Sequence, residues 1–449
     1  MTAPNWTLEV NEFGRIRSAE IGLSPLVLMV GRNNTGKSYM ASLLWGVLMA
    51  STVVLDRQNP TNDAYISVKK IARAILSREK LSISLGDWQS ILDWVNDSLD
   101  SRRSDIVKSI LGTSLVTYKS AKIKFNSFPE ETKVEVIPLT GEGSGRPSTL
   151  LRTVQVVGKI KFYVPESRDG KNNDIIEYRI ARALARMLIN GNERRGGGAI
   201  YIPAARTGLM LGYKTLLSGL FRTLENDGES RQKTILPRPI VEFLDALNYA
   251  NLYLPREDNN FSRIANGLER DILQGTVEVL QNNEVSDFWF SPIESGIKLP
   301  FHATSSLITE LAPFVMLLRS GFLGYKTLIF EEPEAHLHLA AQRFLAKAIA
   351  KLINAGIRVI VTTHSDTFVQ QINLLMRLST HPNATELMKK YGYDQTDVID
   401  PGKVSGYIFD ATSEKTNVHL MEKTNQGLVE PTMNSVIEEL SSELIDMYD

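Results

Sequence analysis

Three short runs in this chain of 449 residues hold side chains whose types and spacing could do chemistry. The first, Gly31-Arg32-Asn33-Asn34-Thr35-Gly36-Lys37-Ser38, fits the pattern G-x-x-x-x-G-K-[S/T]. Its glycines let the backbone curl so that successive N–H groups face phosphate oxygens, and a following helix start adds the positive end of its dipole. Lys37 then reaches the β- and γ-phosphates of a nucleotide, and the Ser38 hydroxyl becomes a ligand for Mg2+. The second run, Thr327-Leu328-Ile329-Phe330-Glu331-Glu332, delivers two adjacent carboxylates at the end of an apolar stretch. Such neighbours repel when buried, and a bound Mg2+ offsets the repulsion. In that reading Glu331 binds magnesium through water and Glu332 polarises an attacking water. The same EEPE is also compatible with a solvated acidic loop. The third run, IVTTHS, ends on His364, whose neutral imidazole can hydrogen-bond a γ-phosphate and report its presence. A lone histidine is otherwise structural. His336 and His338 in EAHLH read as a strand-like H-x-H pair, but no third zinc ligand lies nearby in sequence.

These runs need elements to aim them. Leu26–Val30 (LVLMV) is continuously apolar, as a central parallel strand buried on both faces would be, and it feeds directly into the glycine-rich loop. TLIF and RVIVTT (358–363) are two further strands of that kind, with a helix from Leu339 to Ala355 between them, ended by Gly356. Ser305 or Ser306 starts a helix through Arg319 that Pro313 kinks. The first twenty residues alternate like two strands joined by a turn at Gly14, with Trp6, Leu8 and Val10 on one face. Residues 64–111 are mostly helical, and 115–164 read as strands around a Gly/Ser/Pro cluster, Gly141–Ser148. A helix over 175–190 follows. The tail from 404 reads as two strands and a terminal helix from Asn434. The spacing therefore divides the chain into 1–55, the start of a nucleotide-binding head; 56–198, an accessory α+β insertion; and 199–449, the remainder of the head.

Composition removes several classes of function. Hydrophobic residues at 43% and charged residues at 22% exclude a disordered chain, and 30 Gly with 18 Pro exclude a collagen-like or low-complexity one. Fifty basic against fifty-one acidic residues leave a net charge of −1, so no global field captures nucleic acid or an anionic membrane. Any nucleic-acid contact must come from a local patch: Arg194 and Arg195, Arg102 and Arg103, or the basic faces of 119–124 and 159–161. The complete lack of cysteine excludes disulfides, thiolate metal sites and cysteine nucleophiles, and it fits a cytoplasmic location. The N-terminus carries acids and no apolar h-region, so no signal peptide is expected. Ser38–Leu55 is uncharged over 18 residues, close to membrane-spanning length, yet it begins inside the phosphate loop. A buried helix explains it better, and no membrane partner is expected.

Taken together, GRNNTGKS, SSLITELAPFVMLL and TLIFEEPEAHLHLAAQRFLAKAIAKLINAGIRVIVTTHSD resemble the ABC-type ATPases of the overcoming-lysogenization-defect (OLD), RecF and SMC-like group. Within it the chain looks most like bacterial AAA family ATPases found in phage-defence systems. The resemblance covers residues 1–50 and 199–440 and leaves 56–198 unrecognised. It implies an α/β fold: a P-loop NTPase with an ABC-type ATPase head, built of a mixed sheet, a helical lobe and the accessory insertion. It implies ATP and Mg2+ as cofactors. By the same resemblance Ser305 and Ser306 match signature serines that contact the γ-phosphate bound to an opposite subunit. Ala335–His338 matches the D-loop, and Arg206 in YIPAAR lies where a Q-loop stands. Two positions depart from the pattern: Leu307 replaces the glycine after the serines, and Leu339 replaces the proline after HLH. No Toprim nuclease domain and no HNH motif are expected. The implied partners are a second copy of the chain in a head-to-tail, ATP-sandwiched dimer or higher oligomer, a separately encoded effector (a nuclease or toxin), and DNA as a further candidate. The leading reading is the sensor or regulator subunit of an anti-phage defence complex. A RecF-like repair or maintenance ATPase and a nucleotide-binding scaffold with vestigial hydrolysis stand as alternatives.

Overall fold

In the computed structural model the described residues are 6–55, 63–79, 81–129, 131–139, 152–156, 159–165, 173–191, 198–216, 236–250, 259–282, 285–293, 295–324, 327–411, 414–425, 427–429, 441–443 and 445. The Gly141–Ser148 cluster, Arg194 and Arg195, and the start of the helix expected from Asn434 lie outside them. The chain divides into two compact units, one of residues 24–41 and 200–449, the other of residues 1–23 and 42–199.

The first of these units is organised by strands too apolar to face water on either side. Leu26–Val30, Thr327–Glu331 and Val359–Thr363 are buried at every position. They lie in a run of six neighbouring strands, in the order Thr416–Leu420, Val404–Asp410, Leu26–Val30, Val359–Thr363, Thr327–Glu331 and Ala199–Ile202. Leu26–Val30 pairs in parallel with Val404–Asp410 on one side and Val359–Thr363 on the other, in register Val30↔Thr363. Val359–Thr363 in turn pairs in parallel with Thr327–Glu331, in register Thr362↔Glu331. Parallel neighbours need crossovers. The helix Leu339–Asn354 makes one, closing on Gly356 at φ +88°. Two helices that the sequence reading passed over, Asp366–Thr380 and Ala384–Tyr391, lie between the next pair of strands. Thr416–Leu420 runs antiparallel to Val404–Asp410, so the sheet is mixed.

The helices Arg206–Leu211, Arg238–Ala250, Asn260–Leu268 and Ser306–Arg319 contribute Leu209, Phe243, Leu247, Leu268, Leu311 and Phe314 to one apolar core with the sheet residues. Ser306–Arg319 carries Pro313 in its interior and still continues to Arg319. Beside these helices, Gly275–Asn282, Val285–Pro292 and Leu299–Pro300 form a small antiparallel sheet.

In the other unit, Trp6–Phe13 and Ile16–Gly22 form a hairpin that turns at Gly14, φ +58°, and Trp6–Phe13 pairs on its far side with Ser120–Phe125. Helices Asp63–Leu76, Leu85–Ser101 and Asn173–Asn190 pack through Tyr65, Trp94 and Tyr178, whose rings meet 5.2 to 6.4 Å apart. Ser84 and Asp87 close a capping box at the start of the second of these helices. Many of the basic residues proposed above as a nucleic-acid patch have partners here. Lys124 pairs with Glu9, while Lys159 and Lys161 share Glu135 at 2.6 and 3.5 Å. Arg102 donates to the Val54 carbonyl at 2.6 Å, and Arg103 to that of Lys119 at 2.8 Å.

Candidate functional site

The loop after Leu26–Val30 curls because three of its residues take φ values that favour glycine or asparagine: Gly31 at +154°, Asn34 at +60° and Gly36 at +96°. The Thr35 hydroxyl ties the curl by donating to the Arg32 carbonyl at 2.9 Å. Gly31 is also pressed against the next strand, where an added Cβ would meet the Phe409 carbonyl oxygen at 2.7 Å. Backbone cannot yield as a side chain can. Gly31→Ala is therefore expected to lower stability by about 1–3 kcal/mol and to weaken nucleotide binding with it, read by denaturant melts alongside a nucleotide titration. An unchanged midpoint would show that the strand yields.

A helix opens at Lys37, the residue that follows the loop. Arg32, Asn33, Asn34 and Ser38 are exposed, while Gly31, Thr35 and Lys37 are buried. The Lys37 ammonium donates to the Gly31 and Arg32 carbonyls, both at 2.7 Å. Burial pulls its pKa below the ordinary lysine range, and Glu332, Glu334 and Glu331 pull the other way.

Glu331 is the last residue of its strand and is buried. Burial raises its pKa, opposed by hydrogen bonds from the Ser38 and Tyr201 hydroxyls and the Ala204 N–H, with Glu332 adding to the rise. Its Oε1 is buried without a hydrogen-bond partner among the described residues. A desolvated carboxylate with an orphaned oxygen, sharing a hydrogen bond with the exposed hydroxyl of Ser38, is a donor set that suits Mg2+.

Glu332 leaves the strand in a left-handed conformation, φ +40°, with its N–H donated to the Thr362 carbonyl at 2.9 Å and to the Thr362 hydroxyl at 3.2 Å. Its carboxylate is partly exposed and lies 3.9 Å from His364 Nδ1. His364 follows directly on its own strand, half-exposed. Parallel register thus gathers Lys37, Ser38, Glu331, Glu332 and His364 at the C-terminal ends of three adjacent strands, where ligands bind in open α/β sheets.

Glu334 joins this group although the sequence reading gave it no role. Its buried Oε1 accepts the Thr363 hydroxyl at 2.6 Å and the His364 N–H at 2.9 Å, and lies 3.5 Å from His364 Nδ1. The only signal in sequence was a third carboxylate directly after Pro333.

Ser305 and Ser306 sit elsewhere. Both are exposed at the start of Ser306–Arg319, and among the described residues no hydrogen bond ties either hydroxyl to the P-loop, the acidic pair or His364. The EAHLH segment is not strand-like: residues 333–336 form a turn, His336 takes φ +58°, and the His338 ring caps the next helix by accepting the Ala340 N–H at 3.3 Å. Among the described residues no group of three or more histidine, aspartate or glutamate side chains is placed to hold a metal ion.

Arg206 also departs from expectation. At the position that the resemblance gives to a Q-loop it is 0% exposed. Its guanidinium donates to the carbonyls of Glu310, Pro203, Glu331 and Glu332 at 2.9 to 3.1 Å, and lies 2.6 Å from Glu310 Oε2.

No helix among the described residues is long and apolar enough to cross a membrane. The family model of an AAA ATPase domain matches residues 233–369, a segment that includes Ser305, Ser306, the acidic pair and His364 and excludes the P-loop. No curated protein matches the chain. Among solved structures it is similar to an Smc head domain with an extended coiled coil bound to the C-terminal domain of ScpA, derived from Pyrococcus furiosus: identity is 14%, TM-score 0.39, and coverage 100% of both chains. It is similar, too, to an Smc head bound to the C-winged helix domain of ScpA, with 12% identity, TM-score 0.38 and coverage of 94% of this chain and 98% of that one. The SMC head domain from Thermotoga maritima gives 12% identity, TM-score 0.35 and coverage of 94% and 100%. With the P-loop strand, the histidine strand and the acidic strand side by side in that order, the fold is a mixed α/β fold with the glycine-rich loop, the acidic pair and His364 at the C-terminal ends of its central parallel strands.

Proposed function

We propose that this chain binds ATP with Mg2+ at the P-loop and hydrolyses it, and that two copies close head to tail around the nucleotide. The observation that carries the reading is the convergence of Lys37, Ser38, Glu331, Glu332 and His364 on one end of the parallel sheet. Loop N–H groups and the helix start cradle the phosphates. Lys37 is the charge for the β- and γ-phosphates, its third N–H meeting them while the other two stay on the Gly31 and Arg32 carbonyls. Ser38 and Glu331 would hold the magnesium ion, which supplies charge neutralisation of the phosphate oxygens. Glu332 takes the proton of the attacking water, and His364, its N–H anchored on Glu334, hydrogen-bonds the γ-phosphate. Ser305 and Ser306, exposed at a helix start, offer their hydroxyls to the nucleotide of the other copy.

Phosphate release with Mg-ATP, against the same protein in EDTA, tests the reaction, and light scattering with and without nucleotide tests the pairing. The expected outcome is turnover that needs magnesium, with ATP half-saturating at or below about 1 mM. Protein that binds no ATP in that range would end the reading.

The biological role we assign is that of sensor or regulator in a bacterial anti-phage defence complex, with a separate nuclease or toxin as effector. Its support is the resemblance of the EEPEAHLH…THS run to such ATPases. Purification from the native operon is expected to recover that effector bound. Recovery of replication or repair proteins instead would favour the RecF-like alternative. For DNA, the ion-paired state of Lys124, Lys159 and Lys161 argues that contact, where it occurs, uses other residues.

A further inference from the structure

Glu332 is clamped on both sides. A residue with a Cβ in the left-handed region costs about 1–3 kcal/mol and persists only where its surroundings over-determine it. Here the Glu332 N–H is held by Thr362 and its carbonyl by Arg206 Nη2 at 3.0 Å. The same guanidinium takes the preceding carbonyl, that of Glu331, through Nη1 at 2.9 Å, and rests 5.1 Å from the centre of the Phe330 ring. Its counterion, Glu310, belongs to the helix Ser306–Arg319 and also accepts the Thr207 hydroxyl at 2.6 Å.

Stability alone gives no reason for this construction. A buried ion pair adds little net stability over a well-packed apolar pair of similar volume, because desolvation of both charges offsets their attraction. What an apolar pair could not do is donate to four carbonyls in a fixed planar geometry, drawn from three separate stretches of chain. Resting on the ATPase reading above, we infer that Arg206 is a positioning residue: it fixes the backbone from which the Glu332 carboxylate projects, and Glu310 anchors it to the helix that begins at Ser306. Arg206 itself, fully buried, touches no substrate.

Arg206→Lys keeps the charge opposite Glu310 but cannot reach all four carbonyls. The expected result is a fall in kcat of about 100-fold, the scale on which small misplacements of a reacting group act, with ATP affinity within about twofold of the unsubstituted protein. A general packing defect would instead move affinity and melting temperature together. Amide exchange in the peptide spanning 331–336 is expected to quicken at least about 10-fold, with the Lys37–Leu48 helix unchanged. A folded Arg206→Lys protein with kcat within threefold of the unsubstituted one, or with unaltered exchange over 331–336, would overturn the inference. If the substitution prevents folding, Thr207→Val, which removes the hydroxyl that orients Glu310, is read in the same two ways with effects of about 3–10-fold. Should the unsubstituted protein bind ATP without hydrolysing it, the ATPase reading fails on its own, and the exchange measurement still decides what Arg206 does.

Discussion

Replacing Glu332 with glutamine is expected to lower steady-state ATP turnover by about 100- to 10,000-fold while nucleotide stays bound. The substitution is nearly isosteric, so neither the turn nor the clamp on its backbone is disturbed; the Thr362 and Arg206 bonds engage only the main-chain atoms of Glu332. What disappears is the anionic oxygen that takes a proton from the attacking water. One negative charge facing Lys37 also disappears, which leaves the ammonium freer for phosphate. Affinity for ATP is therefore expected to hold or rise slightly, and ATP-dependent pairing of two copies to last longer. Phosphate release and nucleotide retention on a desalting column measure the two halves of the expectation. Turnover at the unsubstituted rate would remove Glu332 from the role of base and leave His364 as the next residue to test.

The parts of this site that were legible in sequence share one property: each is carried by a contiguous run whose neighbours already dictate its surroundings. The glycines of GRNNTGKS specify the loop, and LVLMV specifies the buried strand before it, so Lys37 and Ser38 could be placed without tertiary information. TLIFE and VIVTT likewise announce fully buried strands, which puts Glu331 and His364 at strand ends. Arg206 and Glu310 were illegible because their meaning lies in contacts between residues more than a hundred positions apart. An arginine after Pro-Ala-Ala carries no local mark that its guanidinium points inward. EAHLH misled for a different reason. Its alternation of apolar and polar residues imitates the period of a strand, whereas the chain turns there and spends one positive φ on Glu332 and another on His336. The helix Asp366–Thr380 carries a start signal in Ser365, which caps it by accepting the Phe368 N–H directly after the motif that ends at His364.

Lys37→Ala is expected to weaken ATP binding by at least about 100-fold, equivalent to about 2.7 kcal/mol, as measured by titration with a fluorescent nucleotide. Two losses combine. The phosphates lose the ammonium that would meet them, and the loop loses the donor that now spans its Gly31 and Arg32 carbonyls at 2.7 Å each. The second loss separates this substitution from a simple change of charge: without the internal bridge the curl must hold itself through Thr35 and the conformations at Asn34 and Gly36. Lys37→Arg distinguishes the two contributions. It keeps the positive charge near Glu331, Glu332 and Glu334 but brings a planar, longer head group into a buried space that fits an ammonium. If charge alone decided affinity, the arginine protein would bind ATP almost normally. If the bridge geometry matters as well, its affinity falls between those of the unsubstituted and alanine proteins, which is the result expected from two carbonyls converging on one nitrogen. Binding of ATP to the alanine protein within threefold of the unsubstituted one would place the phosphates away from this loop, and the roles given to Ser38, Glu331 and Glu332 would fall with it.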